Sequence, residues 1–186
     1  MSRRISVVLL SLPLIGASQV AYGASLSLGS HVGITMIRSE RPGSGSSTVI
    51  AWPSSSFTYQ PALRIGLGDE DRTHEMLLDS GLFFLDQAGS TLSLFTLTGS
   101  YQHTFSSKSR TAAFANLGAG VYREGGAAQS STTSTFGGGV GVRRVVGDRN
   151  GAVRAELRVD RLHSDNTFGR PALNFVGLRL GFDLWL

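Results

Sequence analysis

Val153-Arg154-Ala155-Glu156-Leu157-Arg158-Val159-Asp160 alternates without a break, with Val153, Ala155, Leu157 and Val159 against Arg154, Glu156, Arg158 and Asp160. Successive side chains of an extended strand leave opposite faces of the pleated backbone, so a period of two marks a strand with one apolar and one charged face. A surface helix would instead repeat its apolar residues every three to four positions.

The same period extends outward in both directions and divides the chain into eight strands. They are expected at about Leu26–Ile37, Phe57–Leu67, His74–Leu85, Leu92–Phe105, Ala113–Tyr122, Thr135–Val145, Val153–Leu162 and Leu173–Leu186. Leu77 and Phe83 blur the alternation of the third. Long Ser/Gly/Pro-rich connections are expected at Arg38–Ser56, Arg123–Ser134 and His163–Ala172, and short ones after the even strands. Asp148-Arg149-Asn150-Gly151 has the composition of a hairpin turn. An even strand number returns both ends of the chain to one side, with short turns there and longer loops opposite.

Composition narrows the function classes. Lys108 is the only lysine, and the formal charge of +4 rests on arginines dispersed along the chain. Phosphate binding needs a clustered basic face, so nucleic acid is not an expected partner. There is no Cys, hence no disulfide framework. At the N-terminus Arg3 and Arg4, an apolar stretch from Ile5 to Ile15 and the small residues up to Gly23 read as a cleavable Sec-type secretory signal over residues 1–23, leaving 24–186 as one domain. No later apolar run has the ~20 residues of a spanning helix. A membrane role therefore has to come through strands.

Alternation alone does not say which face looks outward; the charges decide it. Arg64, Arg143, Arg154, Arg158 and Arg179 share the polar parity with Glu75, Asp79, Glu156, Asp160 and Asp183, equal numbers of each sign. Inside a narrow closed barrel such balance is required, because an unpaired buried charge is strongly destabilising. Glycines at the same parity, including Gly137, Gly139 and Gly141, leave room for arginine side chains. The expectation is a closed antiparallel eight-stranded transmembrane β-barrel with a filled polar lumen and lipid-facing Leu, Val and Phe. The final hairpin is expected to set Val153 near Leu184 and Arg154 near Asp183.

The final strand, with Arg179, Gly181, Phe182, Leu184 and Leu186, resembles the C-terminal assembly signal of bacterial outer-membrane barrels. Ala115-Asn116-Leu117-Gly118-Ala119-Gly120-Val121 is similar to a strand common in the OmpA/OmpX-like small barrels. The resemblance implies a Gram-negative outer-membrane location, contact with membrane lipid and lipopolysaccharide, and recognition by the barrel-assembly machinery through Gly181, Phe182, Leu184 and Leu186. The balanced, filled lumen, with nothing catalytic above background, points to a non-enzymatic barrel that supports the envelope or presents its loops to external partners.

Little in the chain points to catalysis. Leu162-His163-Ser164-Asp165-Asn166 resembles the outer-membrane lipid A 3-O-deacylases, whose signature is His, any residue, Ser, Asn; this makes His163, Ser164 and Asp165 the alternative catalytic set of a lipid A acyl hydrolase. Adjacent residues of a strand point to opposite faces, however, so His163 and Ser164 do not share a proton in an extended segment. His74 and His103 fall near strand ends where polar residues are ordinary. No spacing suggests a metal site, and Gly137-Gly138-Gly139 lacks the helix and lysine of a phosphate loop, so no cofactor is expected.

Overall fold

In a computed structural model of the chain, the alternating pattern becomes nine strands among the described residues, which are 24–40, 47–54, 62–87, 90–126, 129–147, 150–167 and 169–186. The strands are β1 (Ala24–Glu40), β2 (Thr48–Ser54), β3 (Ala62–Asp69), β4 (His74–Gln87), β5 (Ser90–Thr104), β6 (Thr111–Gly125), β7 (Ser130–Val146), β8 (Gly151–Leu162) and β9 (Ala172–Trp185). The expected leader, residues 1–23, and the start of the second expected strand, Phe57–Gln60, lie outside the described residues.

Each strand pairs antiparallel with its neighbours, and β1 pairs with β9 from Ser27 to Glu40, which closes the sheet into a barrel. That pairing occupies one edge of β1. Its other edge is shared: Ala24–His31 pairs with β3 and Gly33–Arg38 with β2, with a register irregularity between Gly33 and Thr35. β2 and β3 thus run one after the other along a single stave, and the nine strands build an eight-staved wall.

β2 corrects one expectation. Arg38–Ser56 was expected as a loop, yet β1 continues to Glu40 and Thr48–Ser54 pairs with it. Arg123–Ser134 is likewise mostly ladder, with Arg123↔Thr132 and Gly125↔Ser130 in register. Thr and Ser satisfy a strand as well as a loop once a partner edge supplies the backbone hydrogen bonds, and composition alone does not reveal the partner. The turn between β7 and β8 falls where expected, with Gly147 at φ 61° and Gly151 opening β8. Short turns and the first and last described residues share one end of the barrel, the turn end, where the Leu186 amide donates to the Leu26 carbonyl. The opposite end is the loop end.

The barrel is apolar outside and charged inside. Leu63, Leu117 and Leu178 are 67%, 71% and 52% exposed, whereas Arg64 and Glu156 are 3% and 2% exposed. Such a continuous apolar exterior exceeds any patch a water-soluble monomer maintains. Alkane chains are the solvent that accepts it, and a closed sheet leaves no backbone edge unsatisfied there. No helix of the described residues is long and apolar enough to span a membrane.

Leu178 lies outward at the middle of β9. Replacing it with Arg is expected to destabilise the lipid-inserted barrel by about 2–4 kcal/mol, the cost of a cation near the bilayer midplane. Denaturant unfolding in lipid vesicles measures this, with Leu178→Ile, which keeps the apolar volume, as the control.

Candidate functional site

β8 places Arg154, Glu156, Arg158 and Asp160 on successive inward positions, so the sign alternates along one line. Arg158 Nε lies 2.8 Å from Asp160 Oδ1 and its Nη1 3.5 Å from Glu156 Oε1, while Arg154 Nη2 lies 3.3 Å from Glu156 Oε2. Each charge is next to its opposite before any other strand is considered.

β7 faces this line with Gly137, Gly139 and Gly141, in register with Asp160, Arg158 and Glu156. A Cβ added to Gly139 would stand 2.5 Å from Glu156 Oε1, and one on Gly137 would collide with Asp160 Oδ1. From Gly137 to Gly141 the inner side of β7 is therefore a bare floor. Across it the Asn116 amide of β6 donates to Glu156 Oε1 at 3.0 Å and accepts from Arg158 Nη1 at 2.8 Å. On the other flank, Arg179 Nη2 of β9 donates to Asp160 Oδ2 at 2.9 Å.

The network also crosses the lumen. Arg154 Nη2 donates to Gln102 Oε1 at 2.8 Å, Gln102 Nε2 donates to Glu75 Oε2 at 2.9 Å, and Glu75 accepts from Arg143. Arg143 and Arg154 are directly opposite in register, a like-charge juxtaposition. The two guanidinium groups turn to different partners: Arg143 goes to Glu75 and the Arg72 carbonyl, Arg154 to Gln102, Glu156 and Asp183. A second centre lies on the opposite wall. There Arg64 donates twice to Asp79, Nε to Oδ1 at 2.6 Å and Nη2 to Oδ2 at 3.0 Å, with His31 Nδ1 3.8 Å from Asp79 Oδ1. All ten lumen charges named from the sequence are buried.

The last hairpin is shifted from its expected register. Val153 pairs with Phe182 and Arg154 with Gly181, so Val153 does not oppose Leu184. Counting outward from Leu162↔Leu173 gives this alignment, and the loop keeps it: Asp165 and Arg170 form a bridge in the same register with reciprocal backbone bonds of 2.8 Å, and Gly169 at φ 59° helps turn the chain. The shift of two residues preserves parity, so Arg154 still reaches Asp183, diagonally, at 3.4 Å. Gly181 admits the crossing arginine; a Cβ there would be 3.3 Å from Arg154 Cγ.

Both ends of the lumen carry apolar bulk that the sequence reading did not single out. Toward the loop end Leu94, Tyr122, Leu162 and Phe175 are buried together, flanked by Ile37, Phe83, Leu92 and Leu173. Phe83, whose position blurs the third strand's alternation, belongs to this cluster's margin. At the turn end Trp185 is inward and 7% exposed, with the Arg72 guanidinium 3.8 Å from its ring centroid, and Arg154 lies over Phe114 at 4.4 Å. Following the inward parity to the strand ends locates all of these residues.

The residues of the alternative catalytic set do not form a triad of their own. His163 is exposed and its Nδ1 lies 2.9 Å from Ser134 Oγ of β7, not from the adjacent Ser164. Asp165 is buried, accepting from the Thr167 amide at 2.8 Å, whereas Ser164 is exposed. Gly181 lines the inside, while Phe182, Leu184 and Leu186 project outward from the end of the last stave.

No family model and no curated protein matches the sequence. Solved structures do. The crystal structure of Neisserial surface protein A (NspA) superposes with a TM-score of 0.62 at 16% identity, covering 87% of this chain and 98% of that one. Ail, the attachment invasion locus protein of Yersinia pestis, gives 0.45 at 10% identity over 85% and 98%. The N-terminal β-barrel domain of Pseudomonas aeruginosa OprF gives 0.40 at 13% identity over 85% and 97%. At this identity the NspA superposition establishes the fold alone, that of the small eight-stranded outer-membrane barrels.

The partners distinguish how costly each charge is to orphan. Asp79→Ala leaves Arg64 buried without its twofold acceptor and is expected to destabilise the barrel by about 3–5 kcal/mol. Asp183→Ala leaves Arg154 with Gln102 and Glu156 and is expected to cost about 1–3 kcal/mol. Urea unfolding in vesicles ranks the two, and the Arg64→Ala/Asp79→Ala double variant is expected to lose less than the sum of its single changes.

Proposed function

We infer that the chain is a Gram-negative outer-membrane protein whose barrel neither conducts nor catalyses but supports the envelope and presents its loop end to external partners. The observation that carries this reading is the filled lumen, in which arginines and carboxylates neutralise one another within apolar closures at either end. Each lumen carboxylate among the described residues lies within 4 Å of an arginine, the arrangement expected of a plug and not of a pore. The apolar exterior supplies the contact with lipid and, at its outer rim, lipopolysaccharide. Phe182, Leu184 and Leu186, with Gly181 behind them, form the terminal pattern offered to the barrel-assembly machinery after Sec export.

A folded, lipid-inserted barrel resists detergent at room temperature and unfolds on boiling. The expected result is recovery in the outer-membrane fraction with heat-modifiable gel migration; a detergent-independent soluble protein contradicts the reading. In planar bilayers no conductance steps of open-porin size are expected. The mass profile of lipid A is expected to be the same in cells overproducing the wild type and His163→Ala; loss of an acyl chain in the former alone would establish the hydrolase instead.

A further inference from the structure

His74 opens β4 and His103 lies near the end of β5, and the antiparallel register sets them directly opposite each other. Their neighbours Glu75 and Gln102 are buried inside, so alternation sends both imidazoles to the outer side of the wall at the turn end. The rings lie with centroids 5.0 Å apart, and the two Nδ1 atoms face each other at 3.5 Å.

That spacing suits one metal ion better than it suits two imidazoles. His74 Nδ1 also lies 2.5 Å from the Tyr101 hydroxyl. A neutral imidazole nitrogen offers either one lone pair or one proton. If the tyrosine donates to His74 Nδ1, the nitrogen of His103 faces an acceptor already in use. A divalent ion satisfies both lone pairs at once. With metal–nitrogen distances of ~2.05 Å, two nitrogens 3.5 Å apart subtend an angle of about 117° at the metal, close to tetrahedral. The His103 ring packs edge-on against Phe105 at 4.7 Å, and the backbone of His74 is anchored by its amide, which donates to Asp69 Oδ1 at 3.2 Å.

We propose that His74 and His103 form a two-imidazole site for a first-row divalent ion, Zn(II) or Cu(II), on the outer rim of the barrel. Imidazole nitrogens select these borderline ions over Mg(II) and Ca(II), which require oxygen donors. No group of three His, Cys, Asp or Glu among the described residues is arranged to hold a metal, so the protein supplies two ligands and water completes the shell. His74 is exposed and His103 half-buried, which makes the site open and exchangeable. The Tyr101 hydroxyl is a competitor for His74, since an oxygen 2.5 Å from that nitrogen is too close to share a tetrahedral ion with it. The bound ion fastens β4 to β5 on the outside, one rung from the pair that Glu75 and Gln102 join on the inside at 2.9 Å.

The test uses the full chain refolded in phosphatidylcholine vesicles and titrated with Zn(II) alone by calorimetry. One ion per barrel is expected. His74→Ala and His103→Ala should each weaken binding by about tenfold or more, while Tyr101→Phe retains or tightens it and His163→Ala, at the other end, leaves it unchanged. Heat-modifiable migration verifies that each variant is folded, with His74→Asn and His103→Asn replacing any alanine variant that is not. Pulsed electron paramagnetic resonance with Cu(II) alone should show two coordinated imidazoles in the wild type and one in each single variant. Absence of saturable binding, or binding that survives loss of both histidines, overturns the proposal.

Discussion

An ion enclosed in a narrow barrel has no bulk water to solvate it, so each must find an opposite charge and enough hydrogen bonds from the surrounding wall. Most of the interior follows from that requirement. Signs alternate along β8 so that neighbours neutralise one another, and β7 carries glycine at 137, 139 and 141 so that β6 and β8 can meet above it. Even the opposed pair Arg143 and Arg154 is accommodated, because the lumen is narrow enough for each to reach acceptors on other staves. Without the glycines of β7 the carboxylates of Glu156 and Asp160 would collide with new Cβ atoms, and the network would have to open.

Pairing across the lumen ties distant parts of the chain together. The path from Arg154 through Gln102 and Glu75 to Arg143 ties the β4–β5 pair to the β7–β8 pair, which ladder hydrogen bonds alone connect only through intervening staves. Such a network resists ovalisation of the barrel, because deforming the wall separates charges that lack replacement partners. The apolar groups at the two ends complement it. Leu94, Tyr122, Leu162 and Phe175 on one side and Trp185 on the other limit the entry of water that would weaken every ion pair between them.

The outer wall obeys a different rule. Lipid rewards apolar surface but leaves the strand ends, near the headgroups, free to carry polar rings. His74, Tyr101, His103 and Phe105 gather there on β4 and the end of β5, in the rungs next to the turns. Their proximity is a consequence of register: a shift of one residue would send one imidazole into the lumen and destroy the pair.

From the sequence alone, strand periodicity, the parity of every lumen charge, the outward apolar belt and the small closed barrel were legible, because side-chain direction in a strand is a local property repeating every two residues. The strand β2 was not, since Thr48–Ser54 becomes ladder only when the edge of β1 is available, whereas the register of the last hairpin follows from its loop, where the Asp165–Arg170 bridge continues the alignment of Leu162 with Leu173. The same limit hid the Arg64–Asp79 pairing and the meeting of His74 with His103: parity says which face a residue occupies, but only the paired and closed sheet determines its neighbour, because register depends on contacts between strands and not on either strand by itself.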